Sequence, residues 1–346
     1  SADTFSDHKL YLFSPKAEQR HADQLNELSS LEMVAPKSKN KLLGAYWRSF
    51  GQVKDISKLE LDIFHGLSNE LPLSISKSSV AKVVTIHDLI FLRFPELYKP
   101  LDRKIYNKKF RQACEDADKI IAISEQTKAD ILHYYKIDEK KIEVIYQDCN
   151  TQFHQQPAKN KLEETREKYN LPKQFLLSVG TIEERKNQLL ILKALKNIKE
   201  IPLFLVGRTT IYQDELQKFI EENDLQQRVT FINNVQFSDL PAIYSLAEVF
   251  VYPSIFEGFG IPIIEAQNLS TPVVTSTGSC FAETGGDAAL YSNPQKAEEL
   301  AVNVTKVLLD SQLKTELIGK GLNNVLRFRA ERTFAQLNEV YKGLVK

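Results

Sequence analysis

Cysteine, methionine and tryptophan are scarce in this sequence: three, one and one among 346 residues. Cys114, Cys149 and Cys280 stand far apart, with no C-x-x-C pair and no histidine read as lying at metal-ligand spacing, so neither a disulfide framework nor a zinc site is expected. Incidental thiols in a reducing cytoplasm are the plainer expectation. No apolar run approaches the ~20 residues that a membrane span needs, and the first residues do not read as a secretory leader. With Ser1 in first place and Met33 the sole methionine, the chain is expected to start downstream of an initiator. Charge of one sign is lacking too. Forty-five Lys and Arg balance 45 Asp and Glu, and residues 1–150 hold 23 basic and 22 acidic side chains. Binding to phosphate backbones calls for a basic excess, so nucleic acid is excluded as a partner.

What is present is an ordinary globular composition, 42% hydrophobic and 26% charged, long enough for two domains. Short β-rich apolar runs alternate with amphipathic stretches, the pattern of parallel sheets covered by helices. Strands are predicted at 9–13, 31–35, 61–65, 82–88, 119–124 and 142–146, then at 174–180, 202–207, 228–233, 248–253, 272–276 and 288–292. A polar stretch from Asp148 to about Pro172 has the composition of an inter-domain connection. The expected organisation is a Rossmann-like domain over 1–160, a second over 161–328, and a terminal helix over 329–346 with Phe334, Leu337, Val340, Tyr341 and Leu344 at helical spacing.

In such sheets a ligand lies beyond the carboxyl ends of the strands, and two domains facing one another make a cleft. The densest signal there is PSIFEGFGIPIIEAQNLSTPVV. Gly258 and Gly260 flank Phe259 in a loop, Pro262 sits where a helix should begin, and the exposed amides of that helix start favour an anion. Glu257 in the loop and Glu265, read as lying in the first helical turn, could each grip a diol through paired hydrogen bonds. Each alone reads more plainly as a solvent-facing or dipole-compensating glutamate.

The string E-G-F-G-x-P-x-x-E-A resembles the signature of the retaining, nucleotide-sugar-dependent family 4 glycosyltransferases, also described as group 1 and mannosyltransferase-like, which have the GT-B fold. SVGTIEERKNQLLILKAL (178–195), LFLVGR (203–208), VTFINNVQFSDLPAIYSLAEVFVYPS (229–254) and FAETGGDAALYSNP (281–294) extend the likeness in order. FHG (64–66), TIHDLIF (85–91) and DADKIIAIS (116–124) carry it into the front half. The resemblance implies an α/β architecture of two Rossmann-like domains, acceptor-side over 1–160 and nucleotide-sugar-binding over 161–328, with the terminal helix crossing back to the first. It also implies that Lys186, supported by Arg185, holds the donor diphosphate, that Glu265 holds the ribose, and that Glu257 lies near the donor sugar. Amides of Gly258, Phe259 and Gly260 would reach sugar or phosphate oxygens, with the base near Gly207, Arg208 and Val235.

His87 and Asp88 end the predicted strand KVVTIHD. A histidine there is more often a satisfied polar residue than a catalyst, but the resemblance sets it beside donor sugar and acceptor, where it could orient the acceptor or relay its proton. His65 and Ser124, at similar strand ends, are expected to line the cleft. Same-face attack, with Glu257 essential but forming no covalent adduct, is the implied route to retention. No metal and no cofactor is expected, the nucleotide sugar being a co-substrate. The acceptor would be a carbohydrate or a lipid-linked sugar in bacterial surface polysaccharide or glycolipid synthesis.

Basic residues Arg103, Lys104, Lys108, Lys109 and Arg111 cluster in one predicted helix. They could touch anionic headgroups, giving a cytoplasmic protein peripheral at the inner face of the membrane, although a solvated face is the plainer reading. Two departures from the family pattern stand out: SADTFSDHKL opens the chain where relatives have a strand and a glycine-rich loop, and Asp148 replaces a commoner glycine. The competing functions are a nucleotide-sugar epimerase on the same fold and a non-catalytic nucleotide-binding relative. A dehydrogenase is disfavoured, because no strand is followed by G-x-G-x-x-G.

Overall fold

A computed structural model of the protein describes residues 8–14, 31–36 and 40–345. Residues 1–7, most of the divergent opening stretch, lie outside the described residues. The chain divides into two compact units, one comprising residues up to Tyr146 together with those from Ala330 onward, the other Gln147–Arg329. Residues 147–160, assigned from sequence to the first domain, therefore pack within the second. Phe153 is fully buried there, edge-on to Tyr244.

In the first unit the strands are β1 (Leu10–Phe13), β2 (Leu31–Val34), β3 (Ile63–Gly66), β4 (Ala81–Ile86), β5 (Lys119–Ala122) and β6 (Ile142–Val144). All pairings among them are parallel, but they make two sheets: β1-β2, and β3-β4-β5-β6. This departs from the single Rossmann-like sheet the alternation predicts; the edges of β1 and β3 do not meet. Val84 and Ile86 on β4 and Ile120 on β5 are fully buried, packed with Phe110 and Ala113 of the helix Pro100–Asp116. The opposite face of the sheet, at Val83, Ile121 and Ile145, is covered by Leu337, Val340, Tyr341 and Leu344 from the end of the chain. The terminal helix Ala330–Lys342 thus belongs to the first unit, its apolar spacing explained by that sheet face.

The second unit carries β7 (Leu176–Val179), β8 (Leu203–Val206), β9 (Val229–Ile232), β10 (Val249–Tyr252), β11 (Val273–Ser276) and β12 (Ala289–Ser292). They form one parallel sheet in the order β12-β11-β10-β7-β8-β9. β8, β10 and β11 are buried at every position, which is why they read as continuous apolar runs rather than alternating ones. Read from β9, the order is that of the doubly wound dinucleotide-binding sheet, in which successive connections diverge between the first and fourth strands. Here those are β7 and β10. The loops after these two strands flank the point where such a sheet binds its ligand.

Candidate functional site

Both loops carry charge. After β7 the chain runs through Gly180 to a single 3-10 turn, Glu184–Lys186, and Asn187 then adopts a left-handed conformation (φ 58°) to start the helix Gln188–Leu195. The Asn187 amide donates to the carbonyls of Pro253 (3.0 Å) and Pro294 (2.8 Å), fastening this turn to the loops after β10 and β12. The Ile255 amide donates to the Arg185 carbonyl at 2.9 Å. Gly180 turns at φ 149°, and a Cβ there would make only ordinary contact with Lys186, 3.6 Å from its Cε. At Gly207, after β8, a Cβ would fall 1.8 Å from the Gly180 carbonyl oxygen, so only glycine permits this close approach of neighbouring loops.

Glu257, in the loop after β10, is 8% exposed and bridges the two cations. Its Oε1 lies 2.6 Å from Lys186 Nζ and its Oε2 2.7 Å from an Arg185 terminal nitrogen. Lys186 also donates to the Tyr252 hydroxyl (3.0 Å), and Arg185 to the Phe256 carbonyl (2.7 Å) and to Glu183 (2.6 Å). Burial works against ionisation of Glu257, but Lys186 and Arg185 outweigh it and hold the carboxyl below its ordinary range. Burial alone would depress the Arg185 guanidinium; Glu257 and Glu183 carry it upward instead. Burial and the Glu257 charge push the Tyr252 phenol well above its usual value, so it stays protonated. The Glu257 backbone is fixed independently: the Ser279 hydroxyl accepts from its amide at 3.1 Å and donates to its carbonyl at 3.0 Å.

Beyond Glu257, Gly260 turns at φ 99° and caps the helix Ile261–Asn268, with Pro262 in its first turn as predicted. The first amides of a helix have no carbonyl one turn back to accept them and suit an anion. Phe259 is buried against Phe328, its carbonyl taken by Cys280 and Thr284; Gly258 and Gly260 are likewise buried. Glu265 corrects the sequence reading. It is the fifth residue of the helix, one residue past the first turn in which the sequence reading set it. Burial of its carboxyl pushes its pKa up to about 7, against the pull of the Tyr244 hydroxyl, which donates to it at 2.9 Å.

Gly207 and Val235 lie past the ends of β8 and β9, both half-buried, while Arg208 is exposed and, among the described residues, its guanidinium makes no ion pair. In the first unit, strand β4 ends at Ile86, so His87 and Asp88 follow the strand rather than end it. His87 donates from Nε2 to the Leu67 carbonyl (2.8 Å), while Asp88 accepts from the Ile90 amide (3.1 Å). His65 is held between Tyr341 (Nδ1 to hydroxyl, 2.6 Å) and Thr85 (Nε2 to hydroxyl, 2.8 Å), and burial pushes its pKa down to about 4. It serves the packing of the terminal helix. Ser124 is wholly buried and caps the helix Glu125–Tyr135 by accepting from the Thr127 amide at 3.0 Å; the expectation that it lines a cleft is corrected.

Two acidic groupings escaped the sequence reading. Asp148, Cys149 and His154 bring ligand atoms within 4.8 Å of one another, so a histidine does lie near a cysteine. Hydrogen bonds already account for them: His154 Nε2 to Asp148 Oδ1 (3.0 Å), the Cys149 amide to the same oxygen (2.8 Å), and Asn268 to the thiol (3.4 Å). Burial pushes that thiol up to about 12, which keeps it a poor metal ligand. The triplet Asp116-Ala117-Asp118 has the spacing of a paired-carboxylate metal motif, yet Asp118 is engaged by the Lys82 amide (2.8 Å) and ammonium (3.4 Å), and Asp116 by Gln112.

A doubly wound sheet with a buried cation pair and carboxylate at its switch point, preceded by a second parallel α/β unit, defines the class: an α/β protein of GT-B type. The solved structures agree. The protein superposes on a glycosyltransferase from Rickettsia africae with a TM-score of 0.78 at 23% identity, over 99% of this chain and 91% of that one. Against Anabaena Alr3699/HepE in complex with UDP and glucose the TM-score is 0.77 at 18% identity, over 99% and 94%. Residues 161–323 match the model of the glycosyl transferases group 1, and residues 6–152 that of Glycosyltransferase Family 4. The chain belongs to this glycosyltransferase family. Among curated relatives it is 29% identical over 289 residues to O-antigen chain mannosyltransferase B of Escherichia coli, covering 82% of this chain and 74% of that protein. It is 31% identical over 236 residues to O-antigen chain mannosyltransferase RfbU of Salmonella typhimurium, covering 66% and 62%. The chain thus spans under two thirds of the second relative.

Proposed function

We propose that the protein transfers a mannose-type sugar from a nucleoside diphosphate to an acceptor hydroxyl, with retention, during assembly of a bacterial surface polysaccharide. The observation that carries this reading is the bridge of Glu257 to Lys186 and Arg185 at the switch point of the second sheet. Lys186 and Arg185 are placed to neutralise the departing diphosphate, a role in which buried charge counts most. The amides of the Ile261–Asn268 helix start would share the phosphate, Glu265 would accept from the ribose hydroxyls, and the loop ends at Gly207, Arg208 and Val235 would border the base. Glu257 would contact the sugar once a diphosphate relieves it of its cations.

His87 would orient the acceptor, a carbohydrate or a lipid-linked sugar. Same-face attack lets the leaving diphosphate take the acceptor proton, so no carboxylate need become a nucleophile. The mannosyltransferase names of the two curated relatives support the choice of sugar and pathway class. The test is transfer from candidate nucleoside-diphosphate mannoses to a lipid-linked acceptor; epimerisation of the donor without an acceptor would point to the rival activity. A glycosyl adduct trapped on Glu257 and seen by mass spectrometry would refute same-face attack. Activity is expected to survive a chelator, because fixed cations already do a metal's electrostatic work.

No helix among the described residues is long and apolar enough to cross a membrane. Peripheral contact is the reading we attach to the helix Pro100–Asp116. Leu101 (68% exposed), Ile105 and Tyr106 stand out of it beside Arg103, Lys104 and Lys108, which make no ion pair among the described residues. Lys109 and Arg111 are otherwise engaged, with Glu70 and with the Tyr134 carbonyl. Apolar contact plus anionic attraction favours an anionic bilayer. Vesicle binding that is equal with and without anionic lipid would refute it.

A further inference from the structure

Arg185 has two carboxylate partners of unequal kind. Its Nη1 faces Glu257, which comes from the loop after β10, at 2.7 Å, and donates to the Phe256 carbonyl at 2.7 Å. Its Nη2 donates to Glu183 at 2.6 Å, and Glu183 stands only two residues back along the chain. Lys186 has no such second anion: among the described residues its one carboxylate partner is Glu257, and the Tyr252 hydroxyl that it also meets stays protonated. The carbonyl of Glu183 accepts from the Lys186 amide at 3.0 Å, so this residue holds the backbone of one cation and the side chain of the other. The Glu183 side chain is 35% exposed, against 11% for that of Glu257. Solvent therefore weakens its field without abolishing it.

Resting on the reading that Lys186 and Arg185 receive the donor diphosphate, we propose that Glu183 is a positioning residue: it keeps Arg185 in place when the diphosphate displaces Glu257, and its charge limits how tightly the product diphosphate is held. In that exchange Lys186 gives up its carboxylate, whereas the Arg185 guanidinium keeps one, so its planar fork stays aimed with Nη1 turned to the phosphate. The negative charge that aims the fork also repels the ligand. Product feels this more than donor, since a terminal phosphate freed of its sugar ionises once more, with a pKa of about 6. Two cations without Glu183 would hold that extra charge most tightly of all, and a site that grips product more firmly than donor turns over slowly. Glu183 opposes this imbalance.

The test is titration calorimetry at pH 8 on the full chain and its Glu183→Gln variant, with UDP, GDP and inorganic pyrophosphate as probes, followed by the nucleoside-diphosphate mannose of whichever nucleotide binds. Glutamine keeps an oxygen for Arg185 and loses the charge, so Kd for the nucleoside diphosphate should fall about tenfold, and Kd for the nucleotide sugar by less. The gain should shrink as salt is raised. Glu184, exposed and in no ion pair among the described residues, provides the control: Glu184→Gln makes the same change in net charge and should alter Kd less than about twofold. A role in packing alone would weaken the binding of both ligands in Glu183→Gln. Unchanged or weaker product binding, an equal gain for product and donor, or an equal gain in Glu184→Gln would overturn the inference. Should Glu183→Gln not fold, Glu183→Ala takes its place and must tighten product binding likewise. If no probe binds the unaltered chain, or binding survives Lys186→Ala at full strength, the diphosphate reading itself fails and this inference with it. Binding that falls in Lys186→Ala yet does not tighten in Glu183→Gln refutes this inference alone.

Discussion

Lys186 Nζ and Glu257 Oε1 lie 2.6 Å apart in a site where the carboxylate is almost fully enclosed, and the other oxygen of that carboxylate is held by Arg185. Two cations share one anion. Glu183 also pairs with Arg185, so the four charges balance before any ligand arrives, and a diphosphate bound as proposed would take the place of a carboxylate on the cations. A pair of buried cations without a counter-ion is strongly unfavourable, so the carboxylate also stabilises the empty protein.

Replacing Glu257 by Ala should therefore act twice. Turnover should fall at least a hundredfold, and the unliganded protein should lose about 3 kcal/mol of stability, the usual cost of stranding a buried charge. Because diphosphate can replace the lost anion, the thermal shift caused by nucleoside diphosphate should be larger in Glu257→Ala than in the unaltered protein. A smaller shift would contradict the shared-anion arrangement. Lys186→Ala leaves Glu257 with Arg185, and should lower kcat/KM with little change in melting temperature.

Glu265 predicts a pH dependence of donor binding. Its carboxyl pKa is raised to about 7, so the free protein holds it protonated below that value, and a ribose diol needs the ionised form to accept two hydrogen bonds. Nucleoside diphosphate affinity should rise with pH up to about 7 and then level, changing up to tenfold per unit on the acid side. Titration calorimetry from pH 5.5 to 8 reads this directly. In Glu265→Gln that slope should vanish.

His65 predicts a stability effect in the first unit. Its pKa falls from 6.5 to about 4 on folding, so the unfolded chain takes up the proton first. Stability is unaffected above the unfolded value and declines as pH drops from 6.5 toward 4, by about 3 kcal/mol in all. Denaturant unfolding of the first unit at pH 7 and pH 4.5 should show this loss. His65→Gln should remove most of the difference.

Gly207→Ala tests the close approach of the loops after β7 and β8. The added methyl would lie 1.8 Å from the Gly180 carbonyl oxygen. Backbone on both sides must move, and a loss of several kcal/mol, or failure to fold, is expected. Gly319→Ala, where nothing lies within 4 Å, is the control and should be neutral or slightly stabilising.

The strands were legible as short apolar runs, most plainly in β8, β10 and β11, which are buried at every position, and all twelve overlap the predicted stretches. Lys186, Arg185 and Glu257 could be named because they stand in strings that resemble a known family's, and each lies in a loop after a strand, where open sheets place ligands. Glu265 was misplaced by one residue. Pro262 does mark the helix start, but the helix begins at Ile261, and nothing local shows that Tyr244, twenty-one residues earlier, would enclose the carboxyl. Asn187, Tyr252 and Ser279 were missed for the same reason: their partners come from other loops, and an isolated Asn, Tyr or Ser carries no periodic signal. Ser124 misled in the opposite sense, since its position after a strand is equally that of a helix cap. The split of the first sheet was hidden because strand sequences record burial and not which neighbour supplies it.

The two-way grip of Ser279 on the Glu257 backbone carries a consequence for recognition. The loop is held in register by bonds from the Ser279 hydroxyl to the Glu257 amide and carbonyl, which owe nothing to the acidic group's own charge. Its ordering is complete once the polypeptide folds, so a sugar nucleotide bound as proposed would need only side-chain pairings to exchange partners while the surrounding mould keeps its form.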